Sequence, residues 1–311
     1  MYKLARPPAI AAVLCAFSMP ALANDLDDNC EDRGQSSGSY LCATALEFGG
    51  QAALLRDIFL DRHHGARPGA SGITASTSGI ADAFTGVFSA GAQVTSGNFS
   101  GNMQALVLGA DRGLADGSFL GVMLQFGQSE VSAPSSSVVT RDEILFGPYF
   151  AGDLGNDFFL DGLVLFGRPD YTVANVPSRG QSIMASLTLS KGLQARGMNI
   201  MVFSTVSLKQ EEPTPAQDID AQILTIGGAI RSDDTRISNG WRQNYARLEL
   251  DIGSYKDNIG TGPIRYLAPR ITVGTDIAFD NNASLNLSAN ASIASDQTRI
   301  FGLRAAYNLQ F

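Results

Sequence analysis

Apolar and polar residues take turns along most of this chain, most regularly near its end. From residue 283 to 293 the odd positions are Ala283, Leu285, Leu287, Ala289, Ala291 and Ile293, with Ser284, Asn286, Ser288, Asn290 and Ser292 between them. In the last run Phe301, Leu303, Ala305, Tyr307, Leu309 and Phe311 share one face, and Gly302, Arg304, Ala306, Asn308 and Gln310 the other. Residues 245–255 repeat the pattern, with Ala246, Leu248, Leu250 and Ile252 against Arg247, Glu249, Asp251 and Gly253. Successive side chains of a strand point to opposite faces, so each run predicts a strand with one apolar and one polar side. Comparable segments recur back to Gly86 and number twelve, an even count that suits a bacterial single-chain barrel. A soluble sheet could turn its polar side to water. The repetition, the aromatic last residue and an export signal favour an antiparallel barrel with lipid outside and a polar lumen.

The joints carry a second signal, because outer-membrane barrels have short periplasmic turns and longer outside loops. Ala115-Asp116-Gly117, Asp153 to Asn156, Ala195-Arg196-Gly197 and Asp280-Asn281-Asn282 read as tight turns. Residues 132–141, 171–180 and 210–219 are polar and rich in Pro, Ser and Thr, and are predicted to be outside loops. Two joints break the alternation: 232–244 is long where a turn is due, and Ser295-Asp296 is short where a loop is due.

Ahead of the strands the period changes. Leu41, Ala45, Phe48, Ala52, Leu55 and Phe59 recur every three or four residues and predict a helix over 39–63, capped by Ser39 and ended by Gly65 and Pro68. Gly49-Gly50 weakens it by up to about 1 kcal/mol per residue. Two placements stay open, inside the lumen or beneath the barrel. Residues 66–81, rich in Gly, Ser and Thr, read as a link.

The first 23 residues read as a cleavable secretory signal: Lys3 and Arg6, a short apolar core, and Ala21-Leu22-Ala23 before cleavage between Ala23 and Asn24. The chain thus divides into a signal (1–23), a short N-terminal segment (24–81) and a barrel (82–311). Net charge is −8, and losing Lys3 and Arg6 leaves 20 basic against 30 acidic residues, −10. No basic patch suits a nucleic acid. After the signal no stretch reaches the roughly 20 apolar residues of a membrane helix, which says nothing against strands. Cys30 and Cys42 are expected to close one small disulfide loop after export.

Catalytic chemistry finds little purchase. The histidines, His63 and His64, sit beside Arg62 and Asp61 and read as a solvated helix end. Asp157/Asp161 and Glu249/Asp251 are carboxylate pairs of a kind a polar lumen supplies by default. Arg247, Glu249 and Asp251 are expected to pair with lumen neighbours such as Arg304. No enzyme activity, cofactor or metal site is expected.

With these residues laid out, the chain resembles the autotransporter β-domain, the translocator of type V secretion. Ala105 to Leu124 resembles that family's second and third strands, most specifically in Gly109-Ala110-Asp111-Arg112 and the Asp116-Gly117 turn. Phe158-Phe159-Leu160-Asp161-Gly162 with Phe166-Gly167-Arg168 resembles its fifth strand, and Ser295-Asp296-Gln297-Thr298 before a strand closing on Phe311 resembles its end. The likeness covers about residues 80 to 311. It implies a twelve-stranded barrel with a helix through the lumen, used to deliver an N-terminal passenger to the cell surface. Here little or no passenger is expected, so the barrel would translocate or display its short N-terminal segment, or else act as a narrow porin or surface interaction protein. Lumen residues Asp111, Arg247, Glu249, Asp251 and Arg304 would satisfy one another and any plug. Tyr307, Leu309 and Phe311 would be read by the barrel assembly machinery after delivery by periplasmic chaperones. The product would be a monomer in outer-membrane lipid and lipopolysaccharide, with no nucleic-acid partner.

Overall fold

The structure, a computed structural model, describes residues 37–64, 83–94, 100–114, 118–132, 138–195, 198–214, 216–259, 262–280, 283–293 and 299–310. The signal with Ala23 and Asn24, Cys30 and Phe311 lie outside them. Cys42 lies in a described helix whose backbone alone is placed at that position.

One helix, α1 (Ser37–His64), precedes the strands. These are β1 (Ala83–Val94), β2 (Ser100–Gly113), β3 (Phe119–Ser132), β4 (Val139–Gly155), β5 (Phe158–Val173), β6 (Val176–Arg179), β7 (Gln181–Ala195), β8 (Met198–Thr214), β9 (Gln217–Arg231), β10 (Thr235–Ile237), β11 (Gly240–Asp257), β12 (Ile264–Phe279), β13 (Ala283–Ile293) and β14 (Arg299–Gln310). Every pairing is antiparallel. Each strand binds its neighbour in sequence, except that β6 is a side branch on β5 and β10 one on β11. β1 pairs with both β2 and β14, and β9 with β11, so the sheet returns on itself. Among the described residues twelve strands lie on that ring. A closed ring leaves no row of unpaired N–H and C=O groups, the condition for a sheet in hydrocarbon.

The strands outrun their predicted ends. β4 begins at Val139 and takes in Arg141; β5 runs to Val173 and takes in Tyr171; β8 reaches Thr214 and β9 starts at Gln217. The segments 171–180 and 210–219 are therefore largely strand, and 132–141 is strand at Ser132 and from Val139 to Arg141. Pro, Ser and Thr suggested loops, but at the described strand residues of these segments, on either side of the Ala174-Asn175 turn, the ladder and the inward–outward alternation continue. Between β5 and β6 the chain turns through Ala174 (φ 51°) and Asn175 (φ 66°), the two positive φ values of a tight hairpin turn. The long joint 232–244 holds β10 and the start of β11.

The two faces separate as the alternation requires. On β11 Leu248 is 66% exposed while Arg247 and Glu249 are 1% and 5% exposed. On β14 Leu303 is 67% exposed beside buried Arg304. Leu120, Val122, Ile144, Phe146, Phe166, Ile271 and Val273 extend the exposed apolar surface around the wall. Water-soluble proteins do not leave such a continuous apolar surface bare; lipid covers it.

The polar face encloses α1. Side chains of α1 bond to β3, β4, β5, β8, β11 and β14, so the helix lies within the ring, not beneath it. Its direction is fixed at both ends. Tyr40 Oη lies 2.9 Å from Ser178 Oγ of β6, and its ring meets Tyr171 edge-on at 5.0 Å. His63 Nε2 lies 2.6 Å from Asp161 near the start of β5. Register carries Asp161 to Ala151, Ala151 to Phe119 and Phe119 to Gly113, two residues from Asp111, which pairs with Ala83. Ala83 in turn pairs with Gln310. The barrel thus begins and ends at the mouth where α1 ends, and α1 begins at the opposite mouth.

Candidate functional site

The site is the lumen, where helix and wall meet through two groups of charges. Nearer the Ser37 mouth Arg141 of β4 contacts Glu47 of α1 and lies 2.7 Å from both Glu143 and Glu211. Lys209 Nζ lies 3.2 Å from Glu143 and 3.0 Å from Glu211. From α1, Thr44 donates to Glu211 at 2.9 Å and Gln51 donates to Glu143 at 2.6 Å. Ser129 of β3 donates to Glu47 at 2.9 Å. The Arg141 guanidinium sits 5.5 Å from the centre of the Tyr171 ring, a cation–π distance.

Sequence reasoning missed this clasp. Arg141, Tyr171 and Glu211 all fall in segments read there as outside loops. The recoverable signal was the period of two that sets Arg141 with Glu143 and Lys209 with Glu211, each pair on one face.

The second group lies toward the other mouth. Arg56 of α1 is 2.7 Å from Glu249, and Asp57 is 2.6 Å from Arg247, which is also 2.6 Å from Glu249. Arg270 is 2.8 Å from Asp251, which accepts from Thr225 at 2.6 Å. Asp61 accepts from Arg304 and lies 3.8 Å from Arg231, itself paired with Asp276. Five arginines thus face five carboxylates, with α1 supplying Arg56, Asp57 and Asp61. Buried charges are tolerated only when so paired, because each alone would carry its full desolvation cost.

All five lumen residues expected from sequence are buried. Arg247, Glu249 and Asp251 stand together, but Arg304 binds Asp61 and Asn286 instead of joining them. Asp111, on β2, accepts from Tyr149 Oη. Tyr307 is 43% exposed on the outer face, and the side chain of Leu309 lies outside the described set.

The carboxylate pairs do not form acid–base sites. Asp157 sits in the turn before β5 with φ 62°, while Asp161 is buried against His63, so the two are not brought together. Glu249 and Asp251 both face arginines. His63 is not the solvated helix end expected: it is 4% exposed and stacks on Phe159 at 4.2 Å. Among the described residues no cluster of three or more His, Cys, Asp or Glu side chains could hold a metal ion. Outside the membrane belt Arg179 and Arg236 each hold their proton above the usual arginine range, chiefly through hydrogen bonds to Asp170 and Asp280. What the lumen geometry can do is grip a charged helix along its length.

Residues 79–210 match the family model of the autotransporter β-domain. Over that stretch the chain is similar to an autotransporter β-domain. Such domains are the translocator barrels of type V secretion. Solved structures of that class share the fold. The β-domain of the Bordetella autotransporter BrkA is 18% identical, with a TM-score of 0.63 over 74% of this chain and 99% of its own. The translocator domain of NalP from Neisseria meningitidis is 15% identical, with a TM-score of 0.57 over 88% of this chain and 98% of its own. The transport unit of AIDA-I from Escherichia coli is 8% identical, with a TM-score of 0.53 over 84% and 99%. None of the curated proteins matches this sequence. The resemblance read from Gly109-Ala110-Asp111-Arg112 and its neighbours holds, and it places the barrel in the bacterial outer membrane.

Proposed function

We propose that this autotransporter barrel carries the residues preceding Ser37 across the outer membrane and holds them at the cell surface, with α1 as the tether. The observation that supports it is the direction of α1, which enters the ring at Tyr40 and Ser178 and leaves at His63 and Asp161. The chain upstream of Ser37 and the chain leading to Ala83 therefore part at opposite mouths. The Ser37 mouth is taken as the outside, because the strand ends that flank 95–99, 133–138, 258–263 and 294–298 open there, as does the β5–β6 hairpin.

Within this reading residues 1–23 are the signal, 24–81 the carried segment with its helix and link, and 82–311 the translocator. Cys30 and Cys42 close a loop at the outer mouth. The last strand, with Tyr307, Leu309 and Phe311, is read by the assembly machinery after periplasmic chaperones deliver the chain. The barrel works as a monomer among lipid and lipopolysaccharide, and it makes and breaks no covalent bond.

Orientation is tested with single cysteines, the native ones replaced by serine. Val176→Cys at the Ser37 mouth should react with a membrane-impermeant maleimide on intact cells, and Leu154→Cys at the other mouth only after permeabilisation. The reverse pattern would overturn the proposal.

A further inference from the structure

The outer wall carries one surface that neither the lumen nor the apolar belt explains. A groove of about 750 Å³ crosses β2, β3, β4 and β5 toward the Ser37 mouth. Its floor is an apolar rung: Leu106 stands opposite Phe126, Phe126 opposite Ile144, and Ile144 opposite Arg168. Two residues along each strand, about 7 Å further toward the mouth, comes a polar rung of Gln104, Gln128, Asp142 and Asp170. Every side chain in both rungs faces outward and is exposed. Gln104 donates to Gln128 at 2.5 Å, so the amides are already aligned.

Charge in this groove is unevenly satisfied. Asp142 and Asp170 are paired across the sheet, an arrangement that repels unless neutralised. Arg179 neutralises Asp170 at 2.6 Å. Arg168 has no ion-pair or hydrogen-bond partner among the described residues, nor has Asp142. Arg168 also borders a second hollow of about 370 Å³, beside Phe166 and Ile183. A free guanidinium between two grooves, at the upper edge of a lipid-covered wall, is placed to take an oxyanion in its planar fork.

We infer that this groove binds the phosphorylated sugar headgroup of an outer-leaflet glycolipid, with the phosphate on Arg168. The apolar rung continues the lipid-facing belt and takes the first methylenes of the acyl chains. Gln104, Gln128 and Asp142 meet sugar hydroxyls, which need fixed donors and acceptors. Two arginines balance two aspartates here, so a bare phosphate ion is not drawn in; sugar and chains must supply the rest. Placement in the outer leaflet rests on the proposed orientation, but the groove's chemistry does not.

The test uses the full-length protein in detergent micelles, with bound lipid read by native mass spectrometry. The probes are rough lipopolysaccharide, the same glycolipid stripped of phosphate, phosphatidylethanolamine and inorganic phosphate. The wild type should retain the phosphorylated glycolipid above the other three. Arg168→Ala should weaken that binding about tenfold, the effect of one lost hydrogen-bonded charge, and Gln128→Ala should weaken it less. Arg265→Ala, an exposed arginine on β12, should leave it unchanged; persistence of the folded gel band certifies each variant. Equal binding by wild type and Arg168→Ala, equal retention of phosphatidylethanolamine or the stripped glycolipid, or saturation by inorganic phosphate would overturn the inference. Micelles have no leaflets, so failure here and failure of the orientation test are read separately.

Discussion

Arg141 shows how much of the lumen hangs on single side chains. It is fully buried and contacts Glu47, Glu143 and Glu211, so removing it strands three carboxylates around Lys209 alone. Arg141→Ala should destabilise the folded barrel by about 3–5 kcal/mol, the cost of breaking a buried pair from one side. The midpoint of guanidinium unfolding in micelles measures it, and Glu47→Gln in the same chain should recover part of the loss. Arg179→Ala, which breaks an exposed pair, should leave that midpoint where it was. A second residue acts through space alone. A Cβ on Gly147 would stand 1.9 Å from the Val164 carbonyl oxygen and 3.0 Å from Leu165 Cα, both backbone. Gly147→Ala should therefore cost about 1–3 kcal/mol in the same assay. At this scale the sequence told which residues face inward, because a period of two settles that. Who pairs with whom was not legible: Arg304 meets Asp61, 243 residues away, and only the threaded helix brings them together.

Elements were legible in kind and less so in extent. The alternation located every strand of the ring, yet Arg141, Tyr171 and Glu211 were lost to loops because Ser, Thr and Pro were taken as breaks. Those residues tolerate an edge or an end of a strand, and above the membrane the ladder can continue in water. The helix was legible from its apolar stripe, but its surroundings were not. The stripe packs on wall residues such as Tyr149 and Tyr255, and the charged positions between find partners that look like solvent from sequence alone. The glycine pair in α1 can be separated by experiment. At Gly49 the nearest group to an added Cβ is Tyr255 Oη at 4.0 Å, so Gly49→Ala should stabilise by up to about 1 kcal/mol. At Gly50 the Met103 side chain stands in the way and must move, so Gly50→Ala should gain less. Comparing the two unfolding midpoints checks the packing of α1 against β2.

At the scale of the molecule, the barrel is a wall with charges matched to one helix. Removing α1 would leave four arginines of the second group facing three carboxylates across an emptied lumen. A chain lacking residues 37–64 should therefore conduct ions in planar bilayers where the intact protein is nearly closed. Equal conductance of the two would argue against α1 as the plug. The fold class was legible because lipid outside and water inside impose the alternation on every strand. The threading was not, since a helix of the same sequence could lie beneath the barrel until its partners on the wall are known. In the proposed orientation the chain before Ser37 emerges on the outside. An epitope tag inserted after Asn24 and probed with antibody on intact cells tests it most directly. The tag should stain to the same level before and after permeabilisation, on a protein that still runs as a folded band. A folded protein whose tag stains only after permeabilisation would contradict it.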